Sequence, residues 1–567
     1  MREWPGWSLE QREQAFGDGL QLCFPLQARG SRAEIGITRL SQVGYHQFRL
    51  PFREMQAGAA REIDFPEFVL LIAAENSIVG AAAPGPVVTF LRRVLQSIAN
   101  IEDVLASPNP AATVFSTRDP LFIEGEAALR FGHAVHPTPR SRDEFTLEDS
   151  QRFAAEYGND FALRWWVAAP EAVAHGGSGA HSAPEMAAAL AASDPLIGRS
   201  SCYRLGDGQA LLPMHPWQAS RLMLEPEVEA LFRAGLVRDL GAAGAPWRAT
   251  SSLRCFHAPH AAWMLKVSLS LRLTNSLRII EPHEVQRGLE IDKLLAGPLG
   301  QALAARFPQF KVMGEPGYLA LKARDGRVLS ETIVAFRENP FRGDEKAAVL
   351  AALCEIAPNG HDSALGDTIR RIAARENTDA TAIARRWFER FLELVVRPLL
   401  LVQADYGLLF GAHQQNIVLG LEDGWPVCLY FRDCQGTGYV REFLPDLARQ
   451  AENVRLEAGH IFESAKAAQL AGYYLIANSV FAVIAALDTG GCAREADLLV
   501  LLRGCIAALA AESPRDSTCL DYLLGSPTLA SKGNFMICFR NLNENTDVVD
   551  PLAGYVPIPN PIAGAAS

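Results

Sequence analysis

None of the ten cysteines stands in a CxxC spacing, which argues against a zinc ribbon or an iron–sulfur centre. Scattered single thiols instead fit a reducing cytoplasm. The opening MREWPGWSLEQREQ places charges and tryptophans where an export signal needs an apolar run. The most apolar stretch, Tyr473 to Leu487, is broken by Asn478 and Ser479. It is short for a membrane span and reads as a buried helix. Positive charge is in deficit, with a net charge of −11, which argues against nucleic acid as a main partner. No GxSxG elbow occurs, and no cysteine sits in a recognisable catalytic context. The GGSG of AHGGSGAHSAP (Ala174 to Pro184) lacks the lysine and spacing of a phosphate loop, and its composition reads as a flexible segment.

With 567 residues, 49% hydrophobic and 21% charged, the chain is a globular protein expected to divide into two to four lobes. Residues 1–115 read as mostly helical, with breaks at Ala81 to Pro86 and at Ser107 to Pro110. Residues 116–310 mix short strands and helices. Residues 311–567 read as strongly helical, with apolar residues at helical spacing from Ala382 to Gln403 and a Pro/Ala-rich tail expected to be loosely ordered.

Against the acidic background stands a run of cations. Between Ser252 and Arg278, the residues Ser252, Arg254, Lys266 and Arg278 fall two, twelve and twelve apart. Lys266 and Arg278 lie in alternating, strand-like runs, and strands aim alternate side chains to one face. Adjacent strands would bring a lysine and two arginines into one pocket suited to a nucleotide phosphate or a polycarboxylate. Solvated charges flanking ordinary strands are the competing reading.

A hairpin is predicted in GAHQQNIVLGLEDGWPVCLYFRD, with the turn at Leu421-Glu-Asp-Gly424. It would bring Asn416 beside Asp433, an amide and a carboxylate suited to Mg²⁺, although turn-capping roles fit both residues too. A third element, GHAVHPTPRSR, carries His133, His136, Arg140 and Arg142 on a loop stiffened by Pro137 and Pro139, and reads as a set of donors for an anion. In MHPWQ, His215 stands before a helix that Pro216 would open, a capping position more than a catalytic one. Many cationic donors, one divalent-metal position and no nucleophile dyad describe an enzyme that activates one substrate with ATP and offers it to another. A kinase-like phosphotransferase is also open on these residues, although Gln414-Gln415 occupy the place of a kinase catalytic base.

In order along the chain, GHAVHPTPRSR, MHPWQ, TSSLR with Lys266 and Arg278, GAHQQN and YFRDCQG together resemble the IucA/IucC family of NRPS-independent siderophore synthetases. SPTLASKGNF, with Lys532, extends the likeness. The resemblance implies an α+β fold shaped like a hand: thumb (1–115), fingers (116–310) and a largely helical palm (311–567) carrying a kinase-like hairpin site. It implies that a carboxylate, most often of citrate and in some members of a half-made citryl amide or another dicarboxylic acid, attacks the α-phosphorus of ATP to give an acyl adenylate and pyrophosphate. An amine or hydroxyl then takes the acyl group and releases AMP. The implied ATP contacts are His136, Ser252, Arg254, Lys266, Asn416 and Asp433, the last two also holding Mg²⁺. Thr274, Arg278, His413 and Gln415 would recognise the acid, with His413, Lys266 and Arg278 acting at the reacting centre. Loss of Lys266 or Arg278 is expected to cripple turnover without unfolding the chain. Gly411 departs from the pattern, since many relatives carry Glu there, and Arg140 stands where relatives often have lysine. The likeness also implies a cytoplasmic homodimer with small-molecule substrates and neither nucleic acid nor membrane as partner. Ferric-siderophore reductases resemble the palm as well, but Cys492, Cys505, Cys519 and Cys538 are too spread for their cluster.

Overall fold

The computed structural model describes residues 2–12, 19–80, 84–179, 181–357, 360, 362–450, 460–543, 550 and 552–565. It begins with five antiparallel strands in sequential order: β1 (Ser8–Arg12), β2 (Gly19–Leu26), β3 (Ser31–Arg39), β4 (Gln47–Gln56) and β5 (Ala59–Ile63). The mostly helical reading therefore fails up to Ile63. Period-two alternation buries Leu22, Ala33, Ile35, Ile37, Phe52 and Ile63 on one face, which packs against Leu71 of the helix Phe65–Ala73. Beyond it the expectation holds, and a long helix runs from Pro84 to Ala106. Ala81 to Ala83 of the predicted break lie outside the described residues.

The middle of the chain builds a six-stranded antiparallel sheet. Its order is Arg248–Ala249, Cys255–His257, Trp263–Val267, Val334–Glu338, Gly317–Leu321 and Val173–Gly177. Two of these strands come after residue 310, so the expected boundary there cuts through a sheet. The supposed flexible segment from Ala174 supplies the edge strand, and Gly176 lies so close to the Tyr318 ring that a Cβ would stand 2.5 Å from it. A three-stranded sheet centred on Arg164–Ala168 packs alongside, and Trp165, Trp166, Phe256, Leu265 and Phe336 share one core. His215 caps the helix Pro216–Leu222 by accepting from the amides of Trp217 and Gln218.

In the last part, helices at Ala364–Glu376, Ala380–Phe391, Arg397–Tyr406 and Glu495–Ala511 surround an apolar core. The predicted hairpin is present as Ile417–Glu422 and Trp425–Phe431. Asp423 and Gly424 both have positive φ, 54° and 86°, as a two-residue turn between twisted strands requires. One helix, Ser464–Thr489, is long and apolar enough to cross a membrane, and 94% of its apolar window is buried inside the protein. The tail is more ordered than its composition suggests, because Tyr555–Pro559 pairs with Thr528–Lys532.

Candidate active site

The first anchor of the site is an ion network at the end of the central sheet. Lys266 is 3% exposed; its Nζ donates to Gln435 Oε1 at 2.7 Å and contacts Glu315 Oε1 at 3.4 Å and the carboxylate of Asp433. Arg337, on the neighbouring strand, donates from Nε to the same Glu315 oxygen at 3.0 Å and lies 3.8 Å from Asp433. Burial works to raise the Asp433 carboxyl, but Lys266, then Arg337 and Arg254, outweigh it and hold the group well below the usual carboxylate range. Asp433 adopts a left-handed backbone with φ 80°, a conformation that costs a non-glycine residue energy and persists where surrounding contacts fix it.

A second anchor is the buried pair Glu126–Arg432. From the helix Phe122–Ala127, Glu126 accepts Arg432 Nη1 at 2.7 Å and the Ser251 amide at 2.8 Å. Arg432 Nε donates to the Gln415 carbonyl at 2.9 Å. One carboxylate thereby ties together the turn carrying Ser252 and Arg254, the Gln415-Asn416 segment, and the residue preceding Asp433. Leu253, between Ser252 and Arg254, is itself left-handed with φ 62°.

Between these anchors lies a cavity of about 240 Å³. All ten residues expected at the site line it, drawn from separate parts of the chain: His136; Ser252 with Arg254; Lys266; Thr274 with Arg278; His413, Gln415 and Asn416; and Asp433. Lys266 and Arg278 arrive from different sheets, since Ser276–Arg278 pairs only with Leu269–Leu273. Arg254 Nη1 is buried and has no hydrogen-bond partner among the described residues. A donor of this kind at a cavity wall suits an anionic ligand. Arg278 Nη2 donates to Thr274 Oγ1 and to the Leu273 carbonyl, both at 3.0 Å.

The histidines differ from expectation. His136 accepts the Thr138 amide at Nδ1, 3.1 Å, and its Nε2 sits 2.9 Å from Asn275 Oδ1, so both ring nitrogens are already engaged. Any phosphate contact by His136 would require Asn275 to let go. Burial pushes His136 down to about 3, with neighbouring His133 acting in the same direction, and burial likewise pushes His413 down to about 3. Both are therefore neutral imidazoles at pH 7. Arg140 is not an anion donor in waiting, whereas Arg142 keeps Nη1 without a hydrogen-bond partner among the described residues. Both are buried against Glu156, and Arg140 also donates to the carbonyls of Arg130 and Leu129. Their task is to shape the loop.

Lys532 and Asn534, in the motif that extends the likeness, also line the cavity, while Arg337 and the tyrosines Tyr473 and Tyr474 were given no site role from sequence. Tyr473 and Tyr474 belong to a π-helical stretch, Gly472–Val480, within the long apolar helix. In it, Asn478 Oδ1 accepts the Gln414 amide at 3.0 Å and Ser479 Oγ donates to the Ala412 carbonyl at 2.7 Å, fixing His413 from both sides. Two polar residues interrupting an apolar run were the available signal. Glu3 accepts the amides of Phe535 and Met536 at 2.7 and 2.9 Å and so fastens the Lys532–Asn534 segment from the other end of the chain. At Gly411 an added Cβ would meet only the Gly436 carbonyl, at 3.5 Å, so backbone crowding does not demand glycine there.

Residues 121–355 match the model of the IucA / IucC family, and residues 385–547 match that of the ferric iron reductase FhuF-like transporters. The chain is 32% identical to the N(2)-citryl-N(6)-acetyl-N(6)-hydroxylysine synthase of Vibrio mimicus, over 94% of this chain and 90% of that one. It is 30% identical to the spermidine-citrate ligase of Bacillus anthracis, over 89% of this chain and 84% of that one. Its fold superposes on the ATP-bound aerobactin synthetase IucA of Klebsiella pneumoniae with a TM-score of 0.91, at 31% identity, over 99% and 97% of the two chains. With likeness of this extent to both sequence and fold, the chain belongs to the IucA/IucC family.

Proposed function

We propose that the cavity is the adenylating site of a siderophore synthetase. A carboxylate of a polycarboxylic acid, free citrate as the first candidate, attacks the α-phosphorus of ATP. The bond to the β-phosphate oxygen breaks, pyrophosphate leaves and an acyl adenylate remains. An amine or hydroxyl nucleophile then attacks the acyl carbon, forming an amide or ester and releasing AMP. The observation that carries this reading is the convergence of Arg254, Lys266 and Arg278 with Asp433 and Asn416 on one cavity. Its further support is the names of the relatives, which include citrate ligases and an ATP-bound synthetase.

Two anions must meet here, and fixed cations offset their repulsion in advance of the reaction. Ser252, Arg254 and Lys266 would hold the phosphates. Thr274 and Arg278, with Gln415, would read the acid's hydroxyl and carboxylates. His413, neutral and half-buried, would donate a hydrogen bond to the reacting carboxylate and not a charge. The donor set also fits Mg²⁺. Asn416 Nδ2 is committed to the Gly411 carbonyl at 3.0 Å, which leaves its Oδ1 as the acceptor, and Asp433 Oδ2 has no hydrogen bond among the described residues. A bound Mg²⁺ would neutralise phosphate charge, with Asn416 and Asp433 as its protein oxygens.

The test is pyrophosphate release by purified protein with ATP and Mg²⁺, comparing citrate, 2-oxoglutarate and succinate, with hydroxylamine as surrogate nucleophile. Release with citrate, alongside AMP, is expected. ADP in place of AMP would overturn adenylation in favour of phosphoryl transfer, and release with another acid alone would overturn citrate.

A further inference from the structure

The cavity's buried arginines have acidic partners: Arg140 and Arg142 share Glu156, with Glu355 also acting on Arg140, Arg432 has Glu126 and Arg337 has Glu315. Arg93 is the contrast. It sits midway along the helix Pro84–Ala106 and is 1% exposed, yet its partners are neutral. Nη2 donates to the Thr274 carbonyl at 2.5 Å, Nη1 to Cys538 Sγ at 3.5 Å, and Nε has no hydrogen-bond partner among the described residues. Burying a guanidinium without a counter-charge works against folding, so an arginine kept in this state calls for a reason beyond stability.

The reason lies in what Arg93 holds. Thr274 turns the chain between Leu269–Leu273 and Ser276–Arg278 with a φ of 53°, a left-handed conformation that a threonine adopts only under constraint. Its carbonyl takes the bond from Arg93, while its hydroxyl oxygen takes the bond from Arg278. The charge of Arg93 also reaches His136, where, after burial and His133, it adds to the forces disfavouring a proton. Neighbours on the same face of the helix have the same occupation. Gln96 brackets the backbone of Arg142, and Ser97 and Asn100 bracket that of Arg140. This face at intervals of three, four and seven residues is a scaffold for the site and not a packing surface alone.

Resting on the adenylation reading above, we propose that Arg93 is a positioning residue for recognition of the carboxylic acid. It locks the Thr274 turn that aims Arg278, and it adds a positive charge with no ion-pair partner among the described residues behind the part of the cavity that receives the polyanion. When that acid binds, its charge provides part of the compensation that the protein withholds.

The experiment compares wild type with Arg93→Gln and Arg93→Lys, measuring KM for citrate, KM for ATP, kcat and the melting temperature without substrates. Misaiming of Arg278 should raise the citrate KM of Arg93→Gln by roughly ten- to a hundredfold, while the ATP KM stays within about twofold. The ligand-free melting temperature should hold or rise, because a buried unpaired charge has gone; an arginine serving structure alone would lower it. Arg93→Lys should fall between wild type and Arg93→Gln in citrate KM, and it carries the test if Arg93→Gln fails to fold. A citrate KM unchanged in both variants, or a parallel rise for citrate and ATP, would overturn the assignment. Wild-type protein that releases no acid-dependent pyrophosphate would instead sink the proposed function, so the two failures are told apart.

Discussion

Lys266 and Asp433 stand 167 residues apart in sequence and in direct ionic contact in the fold, where a central strand meets the end of the hairpin. The contact joins two sides of the cavity, through a cation proposed to hold phosphate and a carboxylate proposed to hold Mg²⁺. It also makes Lys266 part of the core, since Glu315 and Gln435 are bonded to the same ammonium.

Lys266 and Arg278 should therefore part company when mutated, contrary to the expectation that either could go without unfolding the chain. Lys266→Met removes a preorganised cation, for a rate loss of about 10²- to 10³-fold. It also leaves Glu315 and the part-exposed Asp433 to share Arg337, a destabilisation below the about 3–5 kcal/mol of a fully broken buried pair. Arg278→Ala breaks bonds to Leu273 and Thr274 at the edge of a two-stranded ribbon, and should abolish acid-dependent pyrophosphate release with the thermal transition nearly unchanged. Urea midpoints alongside the pyrophosphate assay decide it. Equal stability losses in the two variants would contradict the network described for Lys266, and an active Arg278→Ala would remove that residue from the acid site.

Glu126 touches no substrate position but holds three lining segments together, and supporting groups of this kind typically carry about 10- to 100-fold of activity. Glu126→Gln should lose that much in kcat/KM and destabilise the fold by about 3–5 kcal/mol, because Arg432 is left buried without its carboxylate. The double variant Glu126→Gln with Arg432→Met should recover much of the stability and none of the activity. Recovery of both would mean that the pair serves packing only.

Acid should destabilise the protein above the range where carboxylates titrate. Burial pushes His136, His215 and His413 each to about 3, against 6.5 when unfolded. The unfolded chain takes up these protons first, so stability is full above pH 6.5 and falls as pH drops towards 3, by roughly 1.4 kcal/mol per pH unit for each histidine. Glu355 runs the other way: burial pushes it up to about 7, so its contribution is lost as pH rises from 4.5. Burial also pushes His46 and His460 down to about 4, so the lowered histidines outnumber the raised carboxyls Glu355, Glu3 and Asp292 and leave a net loss on acidification. Urea midpoints at pH 7, 6 and 5 should decline in that order, and a flat series would show that these histidines are not held neutral.

Much of the site was legible because its signals are local. Asp423-Gly424 announces a tight turn, and a tight turn fixes which residues flank its two ends, so Asn416 and Asp433 could be assigned to one place before any fold was known. The first sheet was illegible for the opposite reason. Its β4–β5 turn puts Ala57 and Gly58 at positive φ, 49° and 84°, and alanine there conceals the Asn-Gly signature. Arg140 and Arg142 misled because a cationic loop looks the same whether its partner is a ligand or, as here, Glu156 folded back beneath it. Arg93, Glu126 and Asn478 act through tertiary contacts with distant segments, and no spacing within the chain encodes that.

The wall formed by Lys532 and Asn534, fastened by Glu3, has a consequence for biosynthesis. Translation delivers a chain from its N-terminus onward. A nascent polypeptide that has emerged only as far as the hairpin holds Arg254, Lys266, Arg278 and Asp433 but lacks the wall of Lys532 and Asn534. The wall is completed only when the segment around residue 534 meets Glu3, so the closed cavity assembles after nearly all of this sequence has emerged.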